Sequence, residues 1–189
     1  MPHYNLGVTL LAVLGLLMCS PALAEAELDL NVNDDAFRLS GGADFGRRGR
    51  WDAGVLSHQD RGEMVHLGAH LVDEAASETP LTAGLGGRVV WLSPDGDVDD
   101  EFAVAIGGFV RYEFPNANRL SVGANLYYAP DVLGFGDLDE FVELGARVSY
   151  NVLRDADVYL GARYIRIDVD PGGEFTLDNG LIVGVQFRF

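Results

Sequence analysis

The chain runs to 189 residues and carries 29 acidic side chains against 13 basic ones, every basic one an arginine, for a formal net charge of −16. That balance excludes nucleic acid as a partner and excludes docking on anionic headgroups through bare charge. With 24 Gly, 7 Pro and no low-complexity tract, the chain is neither disordered nor a linker array, and its length suits one domain.

In chain order, Leu6 to Cys19 is an apolar run too short to span a bilayer, followed by the small-x-small site Ala22-Leu23-Ala24. Residues 1–24 therefore read as a signal peptide, with 25–189 as the mature domain. Lipidation at Cys19 is the alternative, opposed by the bulky Met18 beside it. Cutting after Ala24 removes the only cysteine, leaving no disulfide and no thiolate site. Past residue 24 no apolar run reaches the length of a spanning helix, so a mature chain that crosses a membrane must do so as a closed barrel.

Ten segments then alternate with period two: 27–32, 36–45, 50–58, 63–73, 82–92, 101–114, 119–128, 141–153, 157–169 and 180–189. The fourth sets Val65, Leu67, Ala69 and Leu71 against His66, Gly68 and His70. In the eighth, Val142, Leu144, Ala146, Val148, Tyr150 and Val152 oppose Glu143, Gly145, Arg147, Ser149 and Asn151. The phase of the ninth slips near Tyr164 and Ile165, where a bulge would hold Arg166 and Asp168 off the apolar face. The tenth ends on Phe189 with Leu181, Val183, Val185 and Phe187 on its greasy face, like the closing strand of an outer-membrane barrel. The expected fold is thus an all-β, transmembrane, antiparallel up-and-down barrel of about ten strands, eight if the weaker segments drop out.

An even strand count puts both termini in the periplasm. Short turns then fall near 46–49, 115–118 and 154–156, with a longer link at 74–81, and the outside loops are Ser93–Asp100, Ala129–Glu140 and Asp170–Asn179. Outward aromatics sort into two levels. Phe37, Trp91, Phe102, Tyr128 and Tyr164 ring the outer edge, and Phe45, Trp51, Tyr112, Phe114, Tyr150, Phe187 and Phe189 the inner one. Two aromatic girdles around an aliphatic band are what a bilayer selects. A soluble lipocalin-like barrel would instead turn its apolar face inward.

Charge sorts by face as well. Inward positions collect Arg38, Arg88, Arg111, Arg119, Arg147, Arg163, Arg166 and Arg188, with Glu27, Asp29, Asp44, Asp52, Glu113, Glu143 and Asp168. In so narrow a bore these should pair, because an unpaired buried charge is costly. Three uses stay open: a salt-bridged plug, a narrow water-filled pore, or a specific site inside.

The stretch Tyr127-Tyr128-Ala129-Pro130-Asp131-Val132-Leu133-Gly134-Phe135-Gly136-Asp137, running into Phe141-Val142-Glu143-Leu144, resembles the YfaZ family of small outer-membrane proteins. Leu85-Gly86-Gly87-Arg88-Val89-Val90 and Val158-Tyr159-Leu160-Gly161-Ala162-Arg163-Tyr164 are similar to its flanking strands, and the likeness is densest from Leu81 to Phe189. The resemblance implies a bacterial outer-membrane barrel, porin-like, and it brings no catalytic or binding residues.

Of the chemical candidates, His58, His66 and His70 are the only histidines left after cleavage. His66 and His70 stand four residues apart on one strand face, roughly 13 Å by the strand rise, too far to share a metal or a proton. Asp52 or Ser57 on the neighbouring strand could partner either. No enzyme motif emerges, so none is expected. Asp95, Asp97 and Asp99 open like a calcium loop, but the sixth position is not Gly and Ile106 stands where the twelfth-position Glu belongs. Clustered outer carboxylates could hold Ca²⁺ or Mg²⁺ only loosely, and no other cofactor is expected. The 129–140 loop, with Leu133 and Phe135 among its acids, reads either as an inward lid or as a turn packed on the rim. Expected partners are outer-membrane lipid, lipopolysaccharide and, through Phe189, the barrel-assembly machinery.

Overall fold

A computed structural model describes residues 25–74, 80–94, 100–170 and 173–189. Strands form where the sequence alternates: β1 (Ala26–Val32), β2 (Ala36–Phe45), β3 (Gly49–His58), β4 (Gly62–Glu74), β5 (Leu81–Pro94), β6 (Glu101–Glu113), β7 (Leu120–Ala129), a two-residue β8 (Gly134–Phe135), β9 (Leu138–Leu153), β10 (Ala156–Val169) and β11 (Gly173–Arg188). All pairings are antiparallel. The sheet runs β5-β4-β3-β2-β1-β11-β10-β9-β7-β6, and pairing of β5 with β6 closes it into a ten-stranded barrel. Ala26 and Phe189 exchange backbone hydrogen bonds of 3.3 and 2.8 Å, so both ends of the described chain lie at one rim, the terminal end. The opposite rim is the loop end.

Most boundaries match the alternation to within two residues. β9 and β11 are longer, because β9 starts at Leu138 and β11 already at Gly173. Most of the segment expected as the Asp170–Asn179 loop is therefore wall. β7 stops at Ala129 while its neighbours continue, and the loop fills the gap: β8 pairs with Phe102 and Ala103 of β6. Just before it, a 3₁₀ turn over Asp131–Leu133 packs Leu133 against the interior. The loop is both wall and plug.

The outer surface is the greasy one. Leu85, Leu181, Leu71 and Ile106 are 74, 72, 72 and 62% exposed, and the band between the rims is Leu, Val, Ile and Ala. Phe37, Trp91, Phe102, Tyr128 and Phe135 lie exposed toward the loop end; Phe45, Tyr150, Phe187 and Phe189 do so toward the terminal end. Trp91 and Phe102 are register partners with ring centroids 4.8 Å apart. An aliphatic belt of this extent has no partner among the described residues and matches the hydrocarbon core of a bilayer.

The interior changes character with height. Toward the loop end, Leu56, Met64, Val90, Leu92, Ala103, Ala105, Phe141, Ile165, Ile167 and Leu177 form one buried apolar cluster drawn from seven strands. Arg166 and Asp168 do not face inward as the phase slip suggested. The register shift does fall between Ile165 and Arg166, but the extra residue is on β11, where Leu177 is skipped between Thr176 and Asp178. β10 keeps its phase, so Ile165, Ile167 and Val169 point in, while Arg166 points out to Glu140 and Glu174. The bulge buries both Leu177 and Asp178. Arg119 is also not inward; it is exposed in the turn before β7.

Candidate functional site

Toward the terminal end the interior is a polar recess of about 410 Å³. Arg38, Arg88, Arg111, Glu113, Glu143, Arg147, Arg163 and Arg188 all line it. Each sits on the inward phase of its strand, and together they reach carboxylates from every side of the barrel.

Glu143 is the hub. It is 1% exposed and receives Arg38 Nη1 at 2.7 Å, Arg88 Nη1 at 3.3 Å and Asn125 Nδ2 at 3.4 Å. Three donors on one acid satisfy a buried carboxylate that would otherwise be expensive. Nearby, Arg163 binds Asp178 and donates to Asn31 Oδ1 at 2.6 Å, while Asn33 Nδ2 donates to Asp178 at 2.7 Å. Lower down, Asp29 receives Arg147 Nη1 at 2.9 Å and the Tyr159 hydroxyl at 2.6 Å. Asp157 receives Arg111 at 3.0 Å, Arg188 at 2.7 Å and Asn151 at 2.7 Å.

The histidines form a second hub that strand spacing alone did not reveal. His66 Nε2 lies 3.1 Å from Asp52 Oδ2 and His70 Nδ1 lies 3.0 Å from Asp52 Oδ1, so the two rings share one carboxylate despite their separation along β4. Arg88 Nη2 closes on the same acid at 3.0 Å. Asp52, Gly68 and Arg88 are in register across three strands. The missing side chain of Gly68 is the reason the acid fits: a Cβ there would meet Asp52 Oδ1 at 2.6 Å and Arg88 Cγ at 2.8 Å. These are close polar contacts without hydrogen-bond alignment, since Asp52 Oδ2, His66 Nε2 and His70 Nδ1 have no aligned hydrogen-bond partner.

From His70 the contacts continue. The Tyr127 hydroxyl lies 2.9 Å from His70 Nε2, which accepts from the phenol when the neutral ring carries its proton on Nδ1. This bond crosses two glycines, because His70, Gly86, Gly107 and Tyr127 stand in register on β4 to β7. Arg88 stacks on the Tyr127 ring with its Cζ 3.8 Å from the centroid. Asp52, His70 and Tyr127 thus line up as acid, base and hydroxyl. Yet Tyr127 is 1% exposed, and although the residue borders the recess its hydroxyl is taken up by His70. His58 is apart from this network and accepts the Asp60 N–H at 3.2 Å in its own turn.

Among the described residues no three His, Cys, Asp or Glu side chains converge as a metal set. Asp95, Asp97 and Asp99 lie outside the described residues.

A family model described as YfaZ precursor matches residues 7–189. No curated protein matches the chain. Among solved structures, the KdgM porin is similar at 14% identity and a TM-score of 0.47, over 87% of this chain and 99% of its own. The KdgM porin in complex with disordered oligogalacturonate is similar at 14% identity and 0.48, with the same coverage. The translocator domain of the autotransporter NalP from Neisseria meningitidis is similar at 13% identity and 0.30, over 97% of this chain and 94% of that one.

Proposed function

The chain belongs to the YfaZ family, and from that premise we propose that it is a bacterial outer-membrane barrel closed at rest, with a polar recess that opens on one side only. The observation that carries this reading is the apolar cluster. Leu56, Met64, Val90, Leu92, Ala103, Ala105 and Phe141 are each 1% exposed or less and fill the loop end. On the β1–β2 side, buried pairs such as Arg38–Glu143 and Arg163–Asp178 complete the closure. A closely packed apolar slab and a ring of buried ion pairs both oppose the passage of ions. An even number of strands favours the terminal end as the periplasmic one, so the recess faces the periplasm and the acidic loops face outward. Outer-membrane lipid and lipopolysaccharide are then the partners of the belt, and Phe189 is the contact for the assembly machinery.

A narrow porin-like pore lined by the same charges is the competing reading, and planar bilayers separate the two. Refolded protein should give no stable current steps, and Arg111→Ala and Arg147→Ala should lose stability without gaining current. Steady ohmic openings in the unmodified protein would overturn closure. Catalysis is disfavoured for a stated reason: the acid–base–hydroxyl alignment among the described residues ends on a phenol that is 1% exposed and already engaged by His70.

A further inference from the structure

The recess is nearly neutral by count, but its charges are unevenly exposed. Around Arg50 the acids Glu27 and Asp44 are the more exposed partners, at 29% and 36% against 18%, whereas on the wall of β6, β9 and β11 two carboxylates are pressed behind their arginines. The side chain of Asp157 is 1% exposed, while its partners Arg111 and Arg188 are 21% and 34% exposed. Asp29 is 11% exposed against 30% for its partner Arg147. One acid, Asp157, serves two guanidiniums from behind, so at that point of the wall the exposed edges are those of Arg111 and Arg188. Glu113, 63% exposed and 3.4 Å from Arg111 Nε, is the open carboxylate beside it.

Within this wall lies a slot. Arg111, Gly123 and Arg147 stand in register on β6, β7 and β9, which sets the two arginine Cα atoms about 9–10 Å apart with a glycine between them. The inward glycines Gly68 and Gly107 are crowded by neighbours that a Cβ would strike, Asp52 Oδ1 at 2.6 Å for Gly68 and the Leu126 carbonyl oxygen, closer still, for Gly107. Gly123 differs. A Cβ there would find Val110 O at 3.4 Å, Arg147 Cγ at 3.6 Å and Arg147 Nε at 3.7 Å, all ordinary contacts. Both terminal nitrogens of Arg147 are engaged, by Asp29 and by Gln186 at 3.1 Å, while its Nε borders the slot.

From this geometry we infer that the Gly123 slot, flanked by Arg111 and Arg147, is a binding site for a small anion, a carboxylate, phosphate or sulfate group entering from the terminal end. The inference rests on the recess being open at that end and names the ligand class it takes. Guanidinium groups suit such anions because their planar N–H edges match an oxyanion's lone pairs.

The test is calorimetric titration of inorganic phosphate, and separately of citrate, into the refolded barrel in a non-ionic detergent that carries no phosphate of its own. Gly123→Asp sets a carboxylate in the slot where a Cβ fits, so it should remain heat-modifiable on gels and bind phosphate at least tenfold more weakly. Arg147→Gln should weaken binding similarly. Arg166→Gln, equal in charge lost but outside the barrel, should leave it unchanged. Absence of any response to both anions at millimolar concentration, or a folded Gly123→Asp protein that binds as the unmodified one does, overturns the site. Current steps from the same sample in planar bilayers would instead overturn closure, whatever phosphate does.

Discussion

Replacing Glu143 by Gln tests whether the interior charges lock the fold or line water. The substitution keeps the shape and one acceptor oxygen but removes the charge that holds Arg38 at 2.7 Å and Arg88 at 3.3 Å. At an effective dielectric of about 20 those contacts are worth about 6 and about 5 kcal/mol of Coulomb energy. Desolvating the carboxylate takes back several kcal/mol, and losing one partner of a buried pair costs about 3–5 kcal/mol net. The guanidiniums cannot re-solvate easily, since their side chains are only 9% and 12% exposed. Urea unfolding of the refolded barrel, read by the gel shift between folded and boiled forms, should lose about 2 M at its midpoint for a slope of about 2 kcal/mol per M. Planar-bilayer current should stay at zero. A loss under about 1 kcal/mol would mean that Glu143 is solvated, that the lumen is wet, and that the locked interior is wrong.

The inward glycines make an opposed pair. Gly107→Ala drives a Cβ to within 2.7 Å of the Tyr127 Cα and should lower stability by about 2 kcal/mol or more; Gly123→Ala, with room in front of it, should fall within about 0.5 kcal/mol of the parent. Equal effects in urea titrations would contradict the slot geometry. Tyr127→Phe leaves the buried Nε2 of His70 without its 2.9 Å partner and should cost about 1–2 kcal/mol. Tyr127→Leu, which also loses the stacking under Arg88, should cost more. If the Phe variant is unchanged, the phenol contact is not holding the wall.

The barrel was legible because period two survives wherever one face is lipid and the other polar. β7 and β9 alternate cleanly, and their inward residues are those of the recess. The loop end was not legible for the same reason inverted. Val89-Val90-Trp91-Leu92 is apolar on both sides of the wall, so alternation gives no contrast there, while on β10 alternation persists through Ile165, Ile167 and Val169 with the apolar side turned inward. The unbroken apolar run at the end of β5 was the available sign of a dry interior. Arg166 and Asp168 stay on the outside because the bulge that the phase slip suggests falls on β11 rather than β10, and above the belt Arg166 finds Glu140. The shared carboxylate of His66 and His70 depends on register between β3 and β4, which the turn fixes and the strand pattern does not. Asp52 on the neighbouring strand was a readable partner for either histidine, and Gly68 between them was the trace that one acid could serve both.

Cysteine reactivity tests the central claim most directly, because the only native cysteine, Cys19, precedes the expected cleavage site. In liposomes, a charged water-soluble thiosulfonate should modify Ser40→Cys in the recess and spare both Ala105→Cys in the apolar cluster and Val183→Cys on the belt. Modification at Ala105→Cys would reveal water running the length of the barrel, and modification at Val183→Cys would show that the aliphatic face does not meet lipid.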